Sequence, residues 1–249
     1  MGRRPSLIKS SNCIYHVYAR SNNKDWFSIP LRAVWEIFTE VLAKTNDKYC
    51  LEIHLFVLMS NHFHALVSTP TIALNEAMRY LMTETSRRIG RSSHRINHVY
   101  GGRYRWTLLE DAYSHAYVYK YVLRNPVRAG LVANIEDYAW TSWRARDPFP
   151  DFPTVERIGV LARDIPQNPG ERLQWLNLPT PKEQEELIAL ALRRYRFKLP
   201  NGTFHKRALE SLKSSYGVDM KNDAKPKDDR HISEHQPSKH PAPSNGRCR

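Results

Sequence analysis

Hydrophobic residues recur with two different periods along the first half of this chain, and the periods alternate. In CIYHVYAR (13–20), Tyr15, Val17 and Ala19 fall on one side of an extended chain and His16, Tyr18 and Arg20 on the other, which predicts a half-buried strand. LRAVWEIFTEVLAKTND (31–47) then repeats apolar residues at helical spacing through Leu31, Val34, Ile37, Phe38, Val41 and Leu42. LEIHLFVLMS (51–60) and HFHALVS (62–68) are strand-like runs parted by a tight turn near Ser60 and Asn61, so they read as a hairpin. Helical spacing returns in IALNEAMRYLMTETSRRIG (72–90) through Leu74, Met78, Leu81 and Ile89. A strand-like YRWTLLED (104–111) and a helical AYSHAYVYKYVLRN (112–125) follow.

The order β-α-β-β-α-β with an added helix is the split βαβ, or ferredoxin-like, arrangement of an α+β fold. It predicts one antiparallel sheet with two helices on one face, leaving the other face open for a site. Past residue 130 the pattern breaks into short proline-punctuated segments with one clear helix, PKEQEELIALALRRYR (181–196), where Thr180 suits the cap and Pro181 the first turn. The last 29 residues contain one Ile and no aromatic, too little apolar surface to offset chain entropy, and are expected to be disordered. These shifts divide the chain into a first domain at 10–145, a helical basic extension at 146–215 and a tail at 216–249.

Charge narrows the choice of partner. The chain carries 38 Lys and Arg against 25 Asp and Glu, a net +13. The tail from 221 onward holds only seven basic and four acidic residues, so most of the excess belongs to the folded part. With 13 Tyr and 6 Trp, that composition suits nucleic acid, whose phosphates attract cations and whose unpaired bases stack on flat rings. Cys13, Cys50 and Cys248 are scattered, so neither a disulfide framework nor a CxxC metal site is expected, and a reducing cytoplasm is the simplest compartment. No stretch reaches the roughly 18 apolar residues of a membrane span, and no apolar run follows the basic start MGRRPSLIKS, so neither a membrane partner nor a leader is expected.

Within the predicted hairpin, NHFHALVS (61–68) points His62 and His64 to one side of the strand and Phe63, Ala65 and Val67 to the other. Paired imidazoles begin a metal site and need a third ligand; coincidence is the competing reading. On the helix 112–125, Ala116, Val118, Tyr119, Val122 and Leu123 form the buried arc, with Tyr117, Lys120, Tyr121 and Arg124 across the opposite one. Asn125 follows Tyr121 one turn later, so a phenol and an amide share one edge of the helix; amphipathic filler is the alternative for these tyrosines. Glu110 and Asp111, at a strand-to-helix junction, read better as a helix cap than as a catalytic acid pair. His16, His54 and His115 read as structural.

MSNHFHALV together with YVLRNPVRAGLV (121–132) resembles the HUH single-tyrosine transposases, in particular the branch associated with repetitive extragenic palindromes. The resemblance spans roughly residues 10–145 and includes YHVYARSNNK, GGRYRWTLLEDAY and DYAWTSWRAR. It implies His62, His64 and Asn125 as ligands of Mg²⁺ or Mn²⁺ and Tyr121 as the nucleophile, with Tyr117 the rival one turn earlier. It further implies a 5′-phosphotyrosine intermediate on single-stranded DNA, recognition of a palindromic hairpin nearby, and a homodimer as a frequent assembly. Two histidines taken alone would equally suit Zn²⁺.

Arg20, Arg88, Arg103, Arg105 and Arg124 are the expected DNA contacts, with Arg87, Arg91 and Arg95 beside them in the basic runs RRIGRSSHR and YGGRYRW; a solvated charged face is the alternative. ALRRYRFKLPNGTFHKRALESL (191–212) is expected to be a DNA-contacting helical appendage. A noncatalytic nucleic-acid-binding protein using the same sheet is the competing class of function. The joint presence of His62, His64, Tyr121 and Asn125 argues against it, because binding alone has no need of all four.

Overall fold

The structure, a computed structural model, describes residues 14–69, 74–144, 165–166 and 168–199. Alternating side chains build four strands, β1 (Ile14–Arg20), β2 (Glu52–Leu58), β3 (His62–Ser68) and β4 (Arg105–Leu109), in one antiparallel sheet of order β2-β3-β1-β4. The crossovers are α1 (Leu31–Tyr49) and α2 (Leu74–Ser92), so the ferredoxin-like order expected from the periodicity is the observed one. Tyr15, Val17 and Ala19 of β1 and Phe63, Ala65 and Val67 of β3 enter a single core with Val34, Trp35 and Phe38 of α1 and Ala77, Met78 and Leu81 of α2. Phe38 packs on Phe63 and Phe56 with ring centroids 5.1 and 5.2 Å apart. That layer consumes one face of the sheet and turns His62 and His64 to the other.

The second face is not open, contrary to expectation. Across it lie α3 (Ala112–Leu123), the single-turn α4 (Asn125–Arg128) and α6 (Lys182–Ala191), with α5 (Pro169–Asn177) beside α3. Asp111 caps α3 by accepting from the Ser114 amide at 2.7 Å, the role its position suggested. The α5 helix escaped the sequence reading, although Asn168 caps it and Pro169 opens its first turn.

Both outer strands of the sheet are shielded. Along β2, Leu58 N–H donates to Trp140 O at 2.9 Å, Phe56 N–H to Ser142 Oγ at 2.9 Å, and Tyr138 Oη–H to Leu58 O at 2.7 Å. The segment 138–142 therefore acts as an edge cover. Along β4, Leu108 N–H donates to Tyr195 O at 2.9 Å, Phe197 N–H to Leu108 O at 3.0 Å, and Thr107 Oγ1–H reaches the Leu192 and Arg194 carbonyls at 2.9 Å each. These bonds explain why the helix expected to run to 196 stops at Ala191: the following carbonyls are taken by the sheet. Cys50, in left-handed conformation (φ 51°) at the end of α1, is disulfide-bonded, a bond that the scattered cysteines, with no disulfide framework among them, did not announce. Most of the 146–215 extension expected from sequence, and all of the 216–249 tail, lie outside them too. No described helix is long and apolar enough to cross a membrane.

Candidate active site

Register sets the floor of the site. Tyr18 pairs with His64 on one side and Arg105 on the other, and Arg20 pairs with His62, so three strands present one contiguous polar patch. From above, α3 and α4 lower Tyr121, Asn125 and Arg128 onto it, enclosing a cavity of about 570 Å³ also lined by Arg193. Tyr117 does not line this cavity. Among the described residues no carboxylate lines it either, while Arg20, Arg105, Arg128 and Arg193 do.

Each donor atom is aimed by local bonds. Asn61 Nδ2–H donates to Lys24 O at 2.7 Å, which leaves Asn61 Oδ1 as an acceptor for His62 Nδ1–H at 2.6 Å. The neutral His62 then keeps an unprotonated Nε2. Asn23 and Lys24 sit at φ 55° and 63°, the left-handed bend that accompanies this carbonyl contact and ties SNNK to the histidine strand. His64 Nδ1 lies 2.8 Å from His16 Nε2, with the rings stacked at 5.1 Å. One of the two must donate, and only the form in which His64 donates leaves the His64 Nε2 lone pair free. His16, read as structural from sequence, thus touches a candidate ligand directly.

Asn125 is held by the helix junction. Pro126 has no N–H, and Asn125 Nδ2–H donates at 3.2 Å to both the Tyr121 and Val122 carbonyls, leaving Oδ1 outward, where it accepts from Arg128 at 3.3 Å. Gly130, at φ 68°, ends α4 in a Schellman turn: Leu131 N–H donates to Pro126 O and Gly130 N–H to Val127 O, both at 3.0 Å. The spacing Asn-Pro-Val-x-x-Gly is this one turn with its start and stop. Arg128, which the sequence reading did not single out, lies with its guanidinium 4.3 Å above the Tyr121 ring centroid and pairs with Glu185 at 3.2 Å. Its signal was available, since seven residues after Tyr121 a helix returns to nearly the same face.

Burial keeps the imidazoles neutral. Desolvation lowers His16 to about 3 and, with the nearby Arg20 charge, His62 to about 4; His64 falls well below its ordinary value, chiefly by burial and then through His16 and His62. Because the unfolded chain binds these protons near 6.5 and the folded chain does not, the histidines oppose folding increasingly as pH falls from about 6.5 toward 4. Tyr18 is raised, first by burial, against the lowering effect of Arg20 and Arg105. No group of three His, Cys, Asp or Glu that could hold a metal occurs among the described residues; beside His62 and His64 the cavity is lined by the Asn125 amide, a further oxygen donor.

The expected DNA-contacting arginines separate. Arg20 and Arg105 line the cavity, and Arg20 lies 5.6 Å over the Tyr18 ring. Arg103 lines a different groove, of about 1190 Å³, on the α2 side. Arg88 pairs with Glu40 of α1 at 2.7 Å, on the helical layer. Arg124 is buried, and its Nη1 donates to the Leu176 and Asn177 carbonyls at the end of α5 at 3.0 and 2.8 Å. Beside it Lys120, pushed down to about 8 by burial and the Arg124 charge, lies 5.0 Å over Trp175. Arg124 therefore anchors the end of α5. Replacing it with Leu should lower stability by about 2 kcal/mol or more, measured by urea unfolding, because charged hydrogen bonds are lost in a buried place, while DNA affinity holds.

The family model described as IS200-like transposase matches residues 9–125. No curated protein matches the chain. Among solved structures, a REP-associated tyrosine transposase bound to a REP hairpin aligns at 15% identity over 61% of this chain and 90% of its own, with a TM-score of 0.49. A Deinococcus radiodurans R1 protein assigned as a transposase aligns at 16% identity over 49% and 95%, with a TM-score of 0.34.

Proposed function

Residues 9–125 belong to the IS200-like transposase family, and from that premise we propose that the chain cuts and rejoins single-stranded DNA beside palindromic hairpins with Tyr121 as nucleophile. The observation that carries the proposal is the gathering of His62, His64, Tyr121 and Asn125 around one cavity rimmed by arginines and, among the described residues, free of carboxylates. A phosphodiester fits such a place, since its oxygens are repelled by acids and held by guanidinium groups.

The donor set, two neutral imidazole nitrogens and an amide oxygen, fits a divalent ion. When bound, Mg²⁺ or Mn²⁺ would supply charge withdrawal from a nonbridging phosphate oxygen, and the nitrogen ligands favour Mn²⁺ over the oxygen-preferring Mg²⁺. The remaining work falls to the chain. Arg20 and Arg105 hold the phosphate from the sheet, and Arg128 holds the Tyr121 ring from above. The Tyr121 oxygen forms the new bond to phosphorus as its proton leaves, the bond from phosphorus to O3′ breaks, and O3′ takes up a proton as the free 3′-OH. The energy of the broken ester is kept in the phosphotyrosine, so a second 3′-OH can reverse the step without ATP.

With one such centre among the described residues, cleavage should be confined to one strand. An oligonucleotide that folds into a hairpin with an unpaired flank is expected to be cut in the flank with Mn²⁺ or Mg²⁺, and the same sequence as a full duplex to stay intact, as read on a denaturing gel. Efficient cutting of both strands of the duplex would sink the mechanism.

A further inference from the structure

The edge of β4 carries a second cleft that the chemistry above does not use. It has a volume of about 210 Å³ and is lined by Tyr104, Arg105, Trp106, Leu192, Arg193 and Tyr195. Three of these, Arg105, Leu192 and Arg193, also line the larger cavity under α3 and α4, so the two spaces share a wall. On its far side Tyr104 and Trp106 border the larger groove on the α2 side, whose rim carries Arg79 and Arg103. The cleft is thus a saddle between two basic hollows.

Its walls are both aromatic and cationic. The Tyr195 ring lies 5.1 Å from Trp106, centroid to centroid, and Tyr195 remains 38% exposed. Arg105 and Arg193 are exposed and form no ion pair among the described residues. Among the described residues no carboxylate lines the cleft. The wall from 192 to 197 is held by backbone, with Thr107 clamping two of its carbonyls and Leu108 pairing with Tyr195 O and Phe197 N, so the Tyr195 side chain is free of any anchoring duty in that ladder. Rings beside guanidinium groups that have no ion pair among the described residues, next to the proposed phosphate-binding cavity, are the two elements of a single-strand subsite, a stacking face and a phosphate contact.

We infer that this cleft binds an unpaired nucleotide of the DNA flank, stacking its base against Tyr195 and holding its phosphate with Arg193 and Arg105. The inference rests on the DNA-cutting reading, but places part of the substrate path on Arg193 and Tyr195, which lie beyond residues 9–125 where the family model matches. The flank is therefore gripped by a segment outside that matched region.

The test uses the full chain in chelator, so that no strand is cut and binding is read apart from catalysis. A hairpin oligonucleotide carries 2-aminopurine at successive positions of its unpaired flank. Wild-type protein is expected to quench one or two adjacent positions, and Tyr195→Ala to abolish that quench and weaken flanked-hairpin affinity roughly 5- to 100-fold, the range set by loss of one base stack. Tyr195→Phe should restore both, since the ring and not the hydroxyl does the stacking, and this rescue separates stacking from misfolding. Arg193→Gln should lower the slope of log affinity against log salt by about 0.7, the value of one single-strand phosphate contact. Equal loss by Tyr195→Ala on a hairpin lacking the flank, an unchanged quench in that variant, or a stronger response to the RNA version of the flank would each overturn the assignment. Because the measurement needs no cleavage, a chain that never forms a covalent adduct could still show the quench, which would refute the catalytic reading and leave the subsite standing.

Discussion

Tyr121→Phe should abolish the covalent protein–DNA adduct on a flanked hairpin and reduce strand cleavage by at least roughly 10³-fold, the scale on which loss of a covalent nucleophile is felt. Affinity for the uncut DNA should hardly move. The guanidinium of Arg128 stacks on the ring, which phenylalanine retains, so the wall of the cavity keeps its shape. Tyr117→Phe is the matched comparison, because Tyr117 lies one turn earlier on the same helix and does not line the cavity. The readout is a labelled band that survives denaturing electrophoresis. An adduct that persists in Tyr121→Phe and vanishes in Tyr117→Phe would reverse the assignment of the nucleophile.

His64→Ala should remove both Mn²⁺ binding and cleavage, and it should cost stability as well. A ligand on an exposed sheet face could be deleted with little effect on folding, but His64 is only 7% exposed and its ring lies against His16 and Tyr18. Truncation strands the His16 nitrogen in a buried place, at about 1–3 kcal/mol. Stability alone would not separate a ligand from a packing residue, so His16 supplies the contrast. His16→Leu removes the acceptor that selects the His64 form able to bind a cation, and should weaken Mn²⁺ binding by roughly 10- to 100-fold, as losses of such supporting partners do. His16→Gln, which keeps an acceptor, should recover much of it. Titration followed by Mn²⁺ electron paramagnetic resonance measures this without any turnover. Unchanged affinity in His64→Ala would eliminate the metal site, and equal affinity in the two His16 variants would eliminate the orienting role.

How the cavity is closed and aimed was harder to read than how it is floored. The alternation in CIYHVYAR and HFHALVS correctly placed His16, Tyr18, Arg20, His62 and His64 on the face opposite α1 and α2, because strand sidedness depends only on neighbours two residues apart. The Asp111 cap was equally local. Arg124, by contrast, fell on the polar arc of a helix read in isolation, and no local rule announces that the end of α5, some fifty residues later, waits there to accept its protons. The α5 helix is not legible in the pattern because nine residues give too short a window for periodicity to speak, although Asn168 and Pro169 are suited to start a helix. The helical spacing that begins at 181 outruns the helix itself because its apparent last turn bonds instead to β4.

The element order, the sidedness of each strand and the turn that places Asn125 after Tyr121 were legible in the pattern of residues, all consequences of interactions within a few residues of chain. Long-range packing alone roofs the second face, shields both outer strands, sets Arg128 rather than Arg124 over the phenol and brings Tyr195 to the cleft beside β4. Those outcomes depend on which distant carbonyls and rings meet, and meeting is settled by packing and by the need of every buried polar group for a partner, not by spacing along the chain.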